Sequence, residues 1–519
     1  MIVLPRNSLG METLSDQKRP RRRRRRSIAS QSVTSAPGVR HIPRFELLDE
    51  AALKRIETHA GWLLETVGVE FRGDDTALEL FRNAGARVKG FRVTFPSDLA
   101  RELCGSAPGS FELISRNPER TLHVGGESLI FMPGYGSPFV TDLDRGRRYA
   151  TLEDFRNFVR LTHTTLWLHH SGGVICEPVD LPVNKRHLDM VLGHLTLSDK
   201  PFMGAVTSIG RARDSIAMAR IVHGPAMDRD PVMQGNININ SPFVFDDTMS
   251  GALRTYAAAG QCVCVSPAIF GGMMGPVTPA AIAAQTLAEG MAGIALTQLV
   301  KPGCPAVLGS FHTTVNLRSG SVTFGTPEAN LVTMALSQLG RRLGVPVRSG
   351  GGQITAANAP DGQAMADSVN AMWSTVLSGT HQVWHAAGWL EGGLTMSFEK
   401  FVLDADCCGA MLRMAQGLEV SAETLTRGSY SEAGPGDNFL STAHTLRHYA
   451  TANYEPLLPD AGSYEAWADN GRRSAAERAS GVWKRMLADY EPPDLAPGVQ
   501  AELQDFVSSR KAGMADEWY

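Results

Sequence analysis

Between Ser128 and about Gln416 one alternation of apolar and polar positions repeats along the chain. A short apolar or β-branched run is followed by a Gly/Pro/Ser-rich turn, then by a stretch whose apolar residues fall three and four apart, as an amphipathic helix requires. The runs occupy residues 128–134, 166–178, 201–207, 231–239, 262–272, 305–311, 346–352 and 381–390. The helical patterns after them start near Thr151, Asn184, Arg211, Asp246, Thr278, Thr326, Asp361 and Ser397. Several carry start signals: Thr278 before Pro279, Thr326 before Pro327 and Glu328, Asp361 after Pro360. Eight strand–helix units predict an α/β fold, a (β/α)8 TIM barrel over 128–420, and about 290 residues suits that architecture. A doubly wound open sheet competes with it. That topology needs a reversal of strand order, to which the pattern is blind.

The flanks differ in texture. Residues 41–127 read as an N-terminal α+β extension, with Leu53, Ile56, Leu63, Leu64 and Val67 at helical spacing, then VGVEF and a second helix over 77–83. Residues 421–519 read as a C-terminal helical extension, covering the barrel or touching a neighbouring subunit. Residues 1–40 are polar and include the unbroken run Arg21 to Arg26, which repels itself; they predict a disordered tail outside the fold.

Composition removes several function classes. The 50 Lys+Arg against 53 Asp+Glu give the body of the protein no pull towards nucleic acid. The 7 cysteines are scattered and several lie in apolar runs, which fits reduced thiols in a cytoplasm. No stretch approaches about eighteen uninterrupted apolar residues and no charged-then-apolar leader is present, so neither a membrane span nor a secretory signal is expected.

In a barrel, chemistry collects where the strands end. Those ends carry Tyr135; Cys176 and Glu177; Thr207 and Ser208; Asn236, Asn238 and Asn240 at period-two spacing; Met273 and Met274; His312, Thr313 and Thr314; Gly352 and Gln353; Trp389 and Glu391. The set is aromatic and polar-neutral with few ionisable groups. Gly350, Gly351 and Gly352 suit close approach of a ligand to the backbone, or simply a turn. Cys262 and Cys264 lack further ligands at metal-site spacing, and His169 and His170 point to opposite faces, so no metal is expected. Glu177 with Glu391 could form an acid/base pair or sit solvated at the rim. No dinucleotide or NTP fingerprint follows any strand.

Longer motifs extend this reading. LLETVGVEF near the start, SPFVTDLDRGRRYAT at 137–151, FGTPEANL at 324–331, the glycine turn running into APDGQA, GWLEGGLTMSFEKFVLDAD at 388–406 and GPGDNFLSTAHTLRH at 434–448 occur together in this order. The chain resembles the trimethylamine methyltransferase family of corrinoid-dependent methyltransferases, in its members without pyrrolysine. The resemblance implies a TIM barrel that moves a methyl group from an amine to the Co(I) of a separate corrinoid protein. It places the pyrrolysine slot of other members near Gly352, Gln353 and Ile354, where this chain has no such residue. That departure turns expectation from trimethylamine to quaternary amines such as glycine betaine.

A quaternary ammonium leaves as a neutral amine, so no general acid is needed, only positioning in a dry cavity. Aromatic faces hold such a cation at roughly 0.5 to 2 kcal/mol each. Tyr135, Phe243, Phe311 and Trp389 are candidates for that cage, and Asn236, Asn238, His312, Gln353 and Glu391 for the polar contacts of the substrate. The cobalamin signature Asp-x-His-x-x-Gly is absent, Val383 standing where its aspartate would precede His385, so the corrinoid is expected on a partner protein. Two other readings stay open: a barrel lyase or hydrolase using Glu177, Glu391 or His312 as base, and a non-catalytic betaine-binding protein. A homo-oligomer also stays open.

Overall fold

The computed structural model describes residues 38–96 and 98–518. The arginine run expected in a tail lies outside these residues. Gly38–Val39, counted with that tail, instead form a strand at the edge of the main sheet, and Arg40 is buried, its Nε donating to Val376 O at 3.0 Å and its Nη2 to Thr380 O at 2.8 Å.

Seven parallel strands make the central sheet: β1 Ser128–Phe131, β2 Phe202–Met203, β3 Met233–Ile239, β4 Cys262–Gly271, β5 Ala306–Val315, β6 Val347–Ser349 and β7 Gln382–Val383. Their order is β1-β7-β6-β5-β4-β3-β2, so the sheet curls until the last strand hydrogen-bonds to the first. No reversal of strand order occurs, which removes the doubly wound alternative.

The run expected at 166–178 forms no strand. Residues 169–172 lie between β1 and β2 nonetheless: His169 N donates to Phe131 O at 2.9 Å, Ser171 N to Pro201 O at 2.8 Å, and Met203 N to Gly172 O at 2.8 Å. Two imidazoles interrupt a regular ladder here. His169 Nδ1 accepts from Phe131 N at 3.0 Å and His170 Nδ1 from Gly172 N at 2.9 Å, so side chains take the place of ladder carbonyls.

A helix follows each expected run: α1 Leu152–Thr164, α2 Arg186–Leu197, α3 Ile209–His223, α4 Asp247–Ala258, α5 Pro279–Val300, α6 Pro327–Leu343, α7 Gly362–Leu377 and α8 Phe398–Ala415. Side-chain caps fix most starts. Thr151 and Asp154 form a reciprocal capping box, while Asp246, Asp361 and Ser397 each accept from a backbone N–H three residues on.

α5 is apolar on every side because both sides are covered. Its inner face meets β4 and β5; its outer face is roofed by helices Glu50–Trp62, Asp75–Asn83 and Leu99–Cys104 of the N-terminal segment. The helix is long and apolar enough to cross a membrane, yet 89% of its most apolar window is buried within the protein. At the other flank, helix Ala475–Ala488 packs on α8, with Trp483 Nε1 donating to Glu399 at 2.9 Å. Helix Pro497–Ala512 packs on α2 and α3, where Arg510 meets Asp214 at 2.8 Å and Lys511 meets Asp189 at 2.6 Å.

The N-terminal ends of the strands are stoppered. A hairpin of Ser110–Leu113 and Leu122–Gly125 packs Leu113, Leu122 and Val124 against Ile130, Cys262 and Val307 inside the curl. Access therefore lies at the C-terminal ends.

Candidate active site

Parallel strands put all their C-terminal ends together, and period-two alternation decides which side chains look inward there. On β3, Asn236 is buried and Asn238, one step nearer the mouth, is exposed; Asn236 Nδ2 donates to Asn238 Oδ1 at 3.2 Å. Tyr135, just beyond β1, shares a hydrogen bond with Asn236, and burial pushes its phenol up to about 12. The interior is thus closed over at Asn236 and open above it.

An aromatic wall stands on the β5–β7 side. Phe311 lies 5.5 Å from both His385 and Trp389 by ring centroids, Phe324 lies 5.4 Å from Trp389, and His385 stacks on Trp389 at 4.0 Å. Burial, aided by the charge of Arg348, holds the His385 imidazole well below its ordinary range, so the ring is neutral. Trp389 is set by a small sheet in which Trp389–Leu390 pairs with Thr395–Ser397, which pairs in turn with Phe139–Thr141.

Below the wall lies a lone cation. Arg348, inward-facing on β6 and 3% exposed, donates from Nη1 to Ser310 O at 2.9 Å, has Nη2 3.4 Å from His385 Nε2, and lies over the Trp384 ring at 4.0 Å. Its Nε has no partner. No carboxylate of the described residues forms an ion pair with it; the polar groups that act on its charge are Cys264 and Tyr135, and burial draws its pKa down to about 10. It is a cation at neutral pH.

Four buried polar atoms without partners gather in this region: Asn236 Oδ1, Arg348 Nε, His385 Nδ1 and Trp389 Nε1. Buried polar atoms are normally satisfied, so a concentration of orphans marks a space for water or ligand. A cavity of about 80 Å³ also opens beside Tyr135, between Met203–Thr207 and α2.

The glycine turn serves the scaffold. A Cβ on Gly350 would stand 2.6 Å from Phe311 Cδ2 and one on Gly352 2.7 Å from His385 C, so these glycines let β6 close on its two neighbours. None of the three has a positive φ. Beneath them Lys400, fully buried, donates to Gln353 O at 3.0 Å, Ser368 Oγ at 2.9 Å and Asp404 Oδ2 at 2.6 Å, and Asp404 accepts from Gly388 N at 2.8 Å. One ion pair thereby ties the turn after β6 to the segment that carries Trp389.

Of the residues expected from sequence, Tyr135, Asn236, Asn238, Phe311 and Trp389 line this basin. Glu391 stands at its rim, held by Arg147 at 2.9 Å and by Thr395 at 2.8 Å. Three are placed elsewhere. His312 is turned towards α6, with Nε2 2.9 Å from Ala329 O and 3.0 Å from Thr333 Oγ1. Gln353 points into the α8 contact, donating to Ala386 O at 2.8 Å and Asp404 O at 2.6 Å, and Ile354 beside it is core. Phe243 packs against the N-terminal layer, its N–H donating to Glu289. Glu177 is bound to Arg186 at 2.6 Å, and Glu391 to Arg147 at 2.9 Å, so each carboxylate already has a cation. Arg348, His385 and Phe324 were missed. Arg348 and His385 were marked in the sequence only as single polar residues inside apolar runs.

Away from the basin, Glu423, His444 and His448 bring ligand atoms within 4.8 Å of one another at the surface. Arg447 sits 2.9 Å from the same carboxylate and already supplies a cation.

Comparison with known proteins adds to this picture. A glycine betaine methyltransferase of Desulfitobacterium hafniense (strain Y51) is 37% identical over 478 residues, covering 92% of this chain and 99% of that protein. A proline betaine:corrinoid methyltransferase of Eubacterium limosum is 28% identical over 477 residues, 87% of this chain and 93% of its own. The crystal structure of Methanosarcina barkeri monomethylamine methyltransferase aligns at a TM-score of 0.47 and 12% identity, covering 87% of this chain and 96% of that one. The sequence profile described as trimethylamine methyltransferase (MTTB) matches residues 16–515, and the chain belongs to that family.

Proposed function

We propose that the protein transfers a methyl group from a quaternary amine to the Co(I) of a separate corrinoid protein. The observation that carries this reading is the basin itself: a neutral aromatic wall of Phe311, Phe324, His385 and Trp389 with orphaned polar atoms and, among the described residues of that wall, no carboxyl group. Such a site suits a donor whose nitrogen already bears its charge. The C–N bond breaks with its electron pair staying on nitrogen, which leaves as a neutral tertiary amine, and no proton moves. The corrinoid supplies the two-electron nucleophile that takes the carbon. The chain's own part is to seat the onium against aromatic faces, to orient one methyl towards the mouth and to keep water out.

The sheet is read here as a (β/α)8 barrel, with 169–172 as its second stave. The hydrogen bonds of that segment to Phe131 and to Pro201 and Met203 support this. The partner docks on the C-terminal face, where the loops after the strands leave Leu143, Tyr149, Met273, Leu317 and Leu394 exposed. Seven unbridged cysteines suit a reducing, cytoplasmic setting.

The test is a screen of quaternary amines with free cob(I)alamin, following methylcobalamin by absorbance. Methyl transfer from one of them is expected. Substrate turnover without any corrinoid would replace this reading by a lyase or hydrolase, and binding without transfer by a betaine-binding protein.

A further inference from the structure

Arg348 is a feature of the basin that onium binding does not use. A buried guanidinium without a counter-ion is costly, and a fold that keeps one normally supplies a partner. Here the groups around it are neutral: Ser310 O, His385 Nε2, the Trp384 face and the Tyr135 phenol. Its Nε–H is unmet, and so is Oδ1 of Asn236, which bonds the same Tyr135 phenol that Arg348 acts on. Bracing Ser310 and Trp384 would not require a charge, since a neutral amide donates as well.

We infer that Arg348 is the anion end of the substrate site, receiving a carboxylate that the methyl donor itself carries. This rests on the methyl-transfer reading and narrows it to zwitterions with a short spacer between onium and carboxylate. The spacer follows from the geometry: Nη2 of Arg348 is 3.4 Å from one edge of the His385 ring, and that ring stacks 4.0 Å from Trp389. Anion-seeking and cation-seeking surfaces are thus about one imidazole apart. The same cation repels an amine lacking a negative charge, so the residue selects against simple tetraalkylammonium ions as well as for betaines. The guanidinium fork presents parallel N–H groups to a carboxylate, which a lysine would not.

Calorimetry with four probes tests this: glycine betaine, its amide, tetramethylammonium, and 3,3-dimethylbutanoate, which keeps the shape and carboxylate of betaine but has no cation and no transferable methyl. In the wild-type protein the amide should bind about 100-fold more weakly than betaine, a comparison that needs no variant. Arg348→Met should lose about 100-fold for betaine and for dimethylbutanoate while tetramethylammonium holds or tightens, and Arg348→Lys should recover part of the loss. Equal binding of betaine and its amide overturns the inference, as does a parallel fall for betaine and tetramethylammonium in Arg348→Met. Arg348-dependent binding of dimethylbutanoate with no methylcobalamin formed from any amine would keep the carboxylate subsite and reject methyl transfer.

Discussion

The imidazole of His385 lies on the indole of Trp389 with centroids 4.0 Å apart and planes 19° from parallel, while its Nε2 faces Arg348. One neutral ring therefore joins the two halves of the basin. The Arg348 contact calls for a lone pair on Nε2, which puts the ring proton on the unpartnered Nδ1.

Trp389→Ala removes the largest aromatic face of the wall. The expected loss is about 0.5–2 kcal/mol of onium binding, or roughly 2- to 30-fold in Kd for the methyl donor. Isothermal titration of the variant, with far-UV circular dichroism as the folding control, reads it. Unchanged affinity would take Trp389 out of the site.

His312→Ala separates the wall from its support. The imidazole contacts Ala329 O and Thr333 on α6, away from the basin, so its loss should lower stability by about 1–3 kcal/mol and leave KM for the donor unaltered. Thermal melts and steady-state kinetics on the same preparation distinguish this from a substrate contact.

The Lys400–Asp404 pair holds the turn after β6 to Gly388, and it is fully buried. Lys400→Met strips Asp404 of its partner, and burial, which already raises this carboxyl to about 6, then keeps it protonated; the expected cost is about 1–3 kcal/mol, and the double variant Lys400→Met/Asp404→Leu should recover much of it. Chemical denaturation of the three proteins tests the pairing. Equal losses in the single and double variants would deny it.

Two pH windows follow from the burial of ionisable groups. In the basin His385 titrates well below its ordinary range, Arg348 at about 10 and Tyr135 at about 12. Transfer from a quaternary donor should then be flat from about pH 7 to 9. Stability behaves differently at the acid end. Burial lowers His169 and His381 to about 3 and His194 and His312 to about 4, beneath the value of an unfolded chain. The unfolded state therefore takes up protons first, so stability is fully present above about pH 6.5 and is lost as pH falls from there towards 4. Melting temperature should drop steadily across that interval.

Most of the scaffold could be read from local chemistry. The eight helices begin within about two residues of the positions set by their caps and prolines, because Thr151, Asp246, Asp361 and Ser397 act on their own next turn and need nothing distant. The second stave could not be read, since His169 and His170 replace ladder carbonyls only in the folded arrangement. In the site, period-two alternation places Asn236 and Asn238 on one face, and the same rule bears on β5. Phe311 and His312 are adjacent in a strand, so they cannot both face inward, and the structure gives the inward place to Phe311. Gln353 was counted as a strand-end residue, but the chain has already turned outward there. Arg348 looked like an incidental charge among apolar neighbours, and only its lack of a counter-ion, a fact of three dimensions, gives it meaning.

The hairpin that stoppers the far end leaves the chamber a cul-de-sac. On the proposed reading, donor and acceptor share one doorway, and the small molecule is expected to be seated before the large one arrives. The spent amine would then wait behind it until that protein departs. Turn-taking of this kind would trace back to Leu113, Leu122 and Val124, residues packed at the end of the sheet opposite the mouth.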